Sequence, residues 1–237
     1  IHEGALKEKF DTMADILIDT RIAAKLVGAT PMDRPERVAV SPTTGRIYVM
    51  LTKNPGREVA DGPNGRPQNY WGQILEIIPG EGGHLADRMT WTILLDGGGS
   101  QAWPAAKAHA DTSPQGVLSC PDNAIFDNSG RLWVTTDGNP GASKRTTGLA
   151  SADGLYVVDT EGDLRARSRL FFRGCLGSEI TGPCFTPDNS TLFLSVQHPG
   201  RGEPGKHETS WPASDTSGLP PRSTVVALRR KTGGTLI

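Results

Sequence analysis

Short apolar runs alternating with polar positions fill most of this chain, and three stretches share one arrangement. Glu36 opens ERVAVSPTTGRIYVMLT, Asp122 opens DNAIFDNSGRLWVTTDG and Thr181 opens TGPCFTPDNSTLFLSVQHP. Each has a short apolar strand, a polar turn and a second strand of alternating character. A two-residue period sends neighbouring side chains to opposite faces of a strand. The three stretches therefore predict one β-hairpin repeated three times. Further strands are predicted at 73–78 and 90–95, at 154–159 and 168–172, and at 223–228. Blade-like units then cover about 36–96, 122–173 and 181–229, the last one strand short.

A four-stranded antiparallel repeat is the blade of a β-propeller, and closure takes four to eight blades. The predicted fold is all-β, a single partial propeller domain over 1–237 with about three readable blades. Open sheet edges invite pairing. A homodimer or a further segment of the same polypeptide is expected to cover them. A helix is predicted only over 11–28, where Met13, Ile16, Leu17, Ala24 and Val27 recur at helical spacing and Gly28 is placed to cap. Residues 16–18 are equally readable as a short strand. Polar stretches at 53–70, 97–116 and 200–221 read as loops.

Composition narrows the function. Glycine (29) and proline (18) punctuate the apolar runs, as many short strands require. The net charge of −1 and the lack of a basic stripe argue against nucleic acid. No apolar run approaches the roughly 20 residues of a membrane helix. The three cysteines, Cys120, Cys175 and Cys184, have no zinc spacing. Cys175 and Cys184 are open either to pairing or to standing free.

Aligning the hairpins on Val40, Phe126 and Phe185 puts Glu36, Asp122 and Thr181 at one equivalent position, with Glu179 two residues before Thr181. First strands of blades line a propeller's channel, so these carboxylates are expected to converge at its mouth. Crowded carboxylates stay ionised together only around a cation. Hard oxygen donors suit Ca²⁺ or a trivalent iron. The same residues can also be read as solvated turn residues. Asp122 and Asn123 offer a carboxylate and an amide oxygen side by side. Pro35 biases Arg34 towards extended backbone, which would point Arg34 and Glu36 the same way. Such an arginine suits a phosphate or carboxylate ligand, or forms a plain surface ion pair. His198 reads as a ligand, a general acid or a turn residue. Trp71, Trp103 and Trp211 read as pocket lining or loop anchors.

Residues 14–36 (ADILIDTRIAAKLVGATPMDRPE), 121–138 (PDNAIFDNSGRLWVTTDG) and 178–200 (SEITGPCFTPDNSTLFLSVQHPG) resemble PhoX-type bacterial alkaline phosphatases. The ending PRSTVVALRRKTGG is also similar. The resemblance implies a six-bladed propeller that hydrolyses phosphate monoesters, holds calcium and iron, and is exported to the periplasm or beyond. It implies that Arg34 contacts phosphate, and that Glu36, Asp122 and Glu179 bind metal. The family's iron-binding cysteine has no matching motif here, and Arg37 stands where members usually carry an aromatic residue. Two other readings stay open on the residues alone. One is a calcium propeller lactonase or esterase; the other is an inactive propeller portion acting as a binding module.

Overall fold

The structure, a computed structural model, describes residues 4–138, 153–201, 209–213 and 219–236. Within the expected loop 200–221, residues 202–208 and 214–218 lie outside the described residues. The chain divides into two compact units, Ile1–Met32 and Asp33–Ile237.

The first unit is helical. It holds α1 (Ala5–Lys9), α2 (Met13–Ile18) and α3 (Thr20–Leu26). Thr12 and Asp15 satisfy each other's backbone N–H groups in a capping box that starts α2. The single helix expected over 11–28 is instead two, separated at Asp19 (φ −99°, ψ 36°). The Thr20 hydroxyl donates to the carbonyls of Leu17 (2.7 Å) and Ile16 (3.2 Å), local bonding that competes with a continuous helix. Gly28 (φ +66°) closes α3, with the N–H of Ala29 on the Ala24 carbonyl.

The second unit is built of blades. The first runs β1 (Pro35–Val40), β2 (Ile47–Leu51), β3 (Gln73–Pro79) and β4 (Met89–Asp96). The second runs β5 (Pro121–Phe126), β6 (Leu132–Thr136), β7 (Gly154–Val158) and β8 (Ser168–Arg173). The third has β9 (Glu179–Phe185), β10 (Thr191–Gln197) and β11 (Thr224–Arg229). All neighbours are antiparallel and follow chain order outward, so the expected two complete blades and one shorter blade are present. The first strands β1, β5 and β9 lie side by side.

Two apolar layers hold the blades together. Between the first and second, Tyr48, Met50 and Ile74 meet Leu132, Val134 and Tyr156. Between the second and third, Trp133, Leu155 and Val157 meet Ile180, Leu192 and Leu194. Alternate residues of β6 and β7 thus serve opposite layers, which is why the middle blade is apolar on both faces. The end blades leave apolar side chains exposed, Val38 and Val40 on β1 and Phe193 and Val225 on β10 and β11.

The hairpin turns are set by side-chain oxygens. Asp127 accepts from the N–H groups of Ser129 and Arg131, the Arg131 guanidinium and the indole N–H of Trp133, the last at 2.9 Å. Asp127→Ala leaves the buried Trp133 indole without that acceptor and should cost about 2 kcal/mol. Urea unfolding with an unchanged slope checks this.

Long loops are tied down by buried polar groups. The Arg66 guanidinium lies 5.1 Å from the Trp71 ring and 5.5 Å from that of Trp103, and donates to the carbonyls of Gly97 and Gly72. Trp71 and Trp103 are therefore loop anchors, and Trp211 packs on the layer between the second and third blades.

Candidate functional site

The entrances of β1 and β5 are built alike. Arg34 and Cys120 each precede a proline and each take left-handed backbone, φ +49° and +53°. The Arg34 carbonyl accepts the N–H of Thr52, and the Cys120 carbonyl accepts that of Asp137. These bonds, from the residues that follow β2 and β6, pin a conformation that is costly for a non-glycine residue. The extended backbone expected at Arg34 is therefore not found. Its side chain still reaches Glu36, Nη2 to Oε1 at 2.8 Å. Thr52 Oγ1 donates to the Pro121 carbonyl at 2.9 Å and joins the two entrances. Gly72 (φ +69°) passes so close that a β-carbon would strike the carbonyl oxygens of Leu51 and Thr52.

Each first strand carries one extra residue against its partner. Pro35 pairs with Leu51 and Arg37 with Met50, leaving Glu36 in a bulge. Pro121 pairs with Thr136 and Ala124 with Val134, so Asp122 and Asn123 share one opposing residue. In β9 the bulge falls later, at Gly182 and Pro183, while Thr181 pairs regularly with Ser195. Bulges re-aim side chains away from the regular alternation. Glu36 and Asp122 thus occupy equivalent bulges that Thr181 does not share.

Electrostatics tie these residues together. Asp122 is buried, and its carboxyl is pushed up to about 7 by burial, then by the negative charges of Glu179, Glu36 and Asp137, with Arg34 opposing. Glu179 is raised by burial and by Asp137; its hydrogen bond from His198 works the other way. Glu179 Oε2 accepts from Gln197 at 3.0 Å and lies 3.2 Å from His198 Nε2. His198 Nδ1 lies 3.2 Å from the Gly177 carbonyl, so His198 is both a turn residue and a neighbour of the acidic group.

Asn123 is engaged on both sides. Its amide nitrogen donates to Asp122 at 2.8 Å. Its oxygen accepts from the Thr181 hydroxyl at 2.7 Å and the Gly182 N–H at 3.0 Å. The backbone donor at Gly182 fixes which end of the amide is the oxygen. Asn123 therefore positions Asp122 and stitches β5 to β9.

Sequence reasoning passed over Lys53, Asp137 and Asp153. Lys53 Nζ donates to the Asp137 carbonyl at 3.0 Å and lies 3.7 Å from Asp137 Oδ2. Asp153, raised well above the usual range chiefly by burial, accepts from Thr136 Oγ1 (2.7 Å) and Gly138 N (2.6 Å). A signal was available. In an antiparallel hairpin the end of the second strand lies beside the start of the first, so charged residues after β2 and β6 belong to the same mouth.

The carboxylates at this mouth offer hard oxygen donors, which repel each other unless a cation or a proton joins them. Among the described residues, no group of three or more His, Cys, Asp and Glu is close enough to hold a metal by itself. A thiolate-bound iron does not fit the cysteines present. All three are free. Cys120 donates its S–H to the Tyr70 carbonyl at 3.2 Å, and burial pushes its thiol up to about 12. Cys175 packs on the layer between the second and third blades, and Cys184 is exposed. No described helix is long and apolar enough to cross a membrane.

Successive four- and three-stranded antiparallel sheets with carboxylates and an arginine at the entrances of their first strands define a β-propeller-like fold with an acidic mouth. The family model for alkaline phosphatase PhoX matches residues 1–200. The chain belongs to the PhoX alkaline phosphatase family. Among solved structures it is similar to Pseudomonas fluorescens PhoX in complex with vanadate, a transition state analogue, at 33% identity and a TM-score of 0.81. That match covers 97% of this chain and 39% of the other, so the chain spans well under half the length of this relative. A luciferin-regenerating enzyme matches at 11% identity and a TM-score of 0.43, over 86% of this chain and 47% of its own. No curated protein matches.

Proposed function

We propose that this chain forms the substrate-facing mouth of a calcium-dependent phosphatase that hydrolyses phosphate monoesters. The observation that carries this is Arg34 held on Glu36 at 2.8 Å, with a buried Asp122 whose carboxyl is pushed up to about 7 by burial and then by the charges of Glu179, Glu36 and Asp137. A guanidinium with half its side chain exposed can offer its fork to phosphate oxygens while one nitrogen stays on Glu36. Family membership and the vanadate-bound relative support phosphate as the anion.

In this reading Arg34 binds the ester and stabilises its equatorial oxygens as charge shifts during transfer to water. Glu36, Asp122 and Glu179 would each contribute carboxylate oxygens to calcium, without forming a complete ligand set by themselves, and the cation would supply positive charge to the phosphate oxygens. Asn123 would fix Asp122 in the β5 bulge through its 2.8 Å bond. His198 steadies Glu179. We also propose export to the periplasm or beyond, as the family suggests. The exposed apolar faces of the first and third blades would be covered by further polypeptide or by a second copy, which solution mass would separate.

The test is hydrolysis of an aryl phosphate by the purified protein with calcium. Arg34→Ala should lower kcat/KM by about 100-fold or more. Undiminished turnover would remove Arg34 from the mechanism. Activity on a lactone and none on the phosphate ester would overturn the phosphatase reading itself.

A further inference from the structure

Besides Arg34, a second described cation, Lys53, stands at the mouth, and it has no role so far. Lys53 follows β2, its side chain only 16% exposed. Its ammonium donates once, to the Asp137 carbonyl at 3.0 Å. Asp137 Oδ2 then lies 3.7 Å from Lys53 Nζ and 3.7 Å from Arg34 Nη2. One carboxylate oxygen therefore sits between both cations and is bonded closely to neither, since charge-assisted bonds run about 2.7–2.9 Å. The charge of Lys53 is also felt by Glu179 and Cys120, which places it among the acidic residues rather than outside them.

We propose that Lys53 is a second phosphate-binding residue, acting with Arg34 across Asp137. A phosphate group presents three oxygens, enough for the arginine fork and a lysine point charge at once. The ammonium keeps donors beyond the one given to the Asp137 carbonyl. Low exposure makes those donors stronger than they would be in water. Asp137 acts as the internal counter-ion that holds both cations in place until the ester arrives. Its long contacts to each are readily exchanged for the shorter bonds phosphate makes.

This inference rests on the phosphatase reading, and the test separates the two. Inorganic phosphate is titrated calorimetrically into the purified protein with saturating calcium, for wild type, Lys53→Met, Lys53→Gln and Arg34→Ala. Glutamine can still donate to the Asp137 carbonyl but carries no charge. Both Lys53 variants should bind phosphate about tenfold or more weakly, with calcium affinity and thermal midpoint not reduced. Wild-type phosphate affinity in Lys53→Gln would reduce Lys53 to a tie on Asp137 and overturn the proposal. So would a parallel loss of calcium binding. If Arg34→Ala loses phosphate and neither Lys53 variant does, Lys53 is excluded and the phosphatase reading stands. If wild type does not bind phosphate, both fall together.

Discussion

Replacing Glu76 with alanine should lower the unfolding free energy by about 3 kcal/mol, near the low end for breaking a buried ion pair. Glu76 on β3 is 1% exposed, and it accepts from four donors. Arg165 binds both its oxygens, at 2.6 and 3.2 Å, Tyr48 donates its hydroxyl at 2.7 Å, and Arg46 donates at 3.3 Å. Arg165 lies between β7 and β8, so this cluster clamps the first blade to the second. The two arginines keep about a third of their surface in water, which is why the lower figure is expected. Burial pushes the Glu76 carboxyl up, but the bonds from Arg165 and Tyr48 outweigh it and leave the group below its ordinary value. A depressed carboxylate stabilises the fold above its unfolded pKa and loses that contribution as pH falls through the folded one. Wild type should therefore lose stability on acidification more steeply than Glu76→Ala. Urea unfolding between pH 7 and pH 3 measures both effects. A loss below about 1 kcal/mol at pH 7 would show that the cluster is solvated and the blades are held by apolar packing alone.

Asp122→Asn should stabilise the calcium-free protein at pH 8 and shrink its response to calcium. The sign follows from the raised carboxyl. Between the ordinary value of 3.8 and about 7, folded Asp122 holds its proton while the unfolded chain has released it. Stability must then fall as pH rises through that window. Asparagine removes this contribution. The raised Asp153 and Glu179 remain, so the slope flattens without vanishing. Calcium that binds only the folded form raises the wild-type midpoint with the logarithm of its concentration once that exceeds the dissociation constant. Scanning calorimetry with calcium or chelator at pH 5 and pH 8 decides the matter. An equal calcium shift in Asp122→Asn and wild type would exclude Asp122 from the cation site.

Much of the fold was legible because alternation and turn chemistry repeat three times. Ser41, Asp127 and Thr186 differ in type, yet each offers an oxygen to its own turn. The middle blade's two-sided burial was less legible, since LWVTT alone does not say which neighbours cover it. The bulges could not be read. Pro35-Glu36-Arg37 and Pro121-Asp122-Asn123 look like ordinary strand starts, and only the partner strand reveals the extra residue. The left-handed backbone at Arg34 is not legible from Pro35, because it depends on the N–H of Thr52, distant in sequence, bonding the Arg34 carbonyl. The helical segment divides because the side chain of Thr20 competes for carbonyls that a continuous helix would use. Lys53 stands just after the first repeat and Asp137 at the end of the second, and only the antiparallel return places them at the mouth.

Those bulges also shape how such a protein can change over generations. Deleting Glu36, the extra residue of β1, would leave the pairs Val38–Val49 and Ala39–Tyr48 in register. A deletion in the β5 bulge would likewise spare Ala124–Val134 and Ile125–Trp133. Ordinarily a one-residue deletion inside a strand flips every following side chain to the wrong face. Here the reading frame of the sheet is insulated from the reading frame of the mouth. A lineage can lose a carboxylate in one genetic event and keep a folded propeller, or gain one by a single-codon insertion.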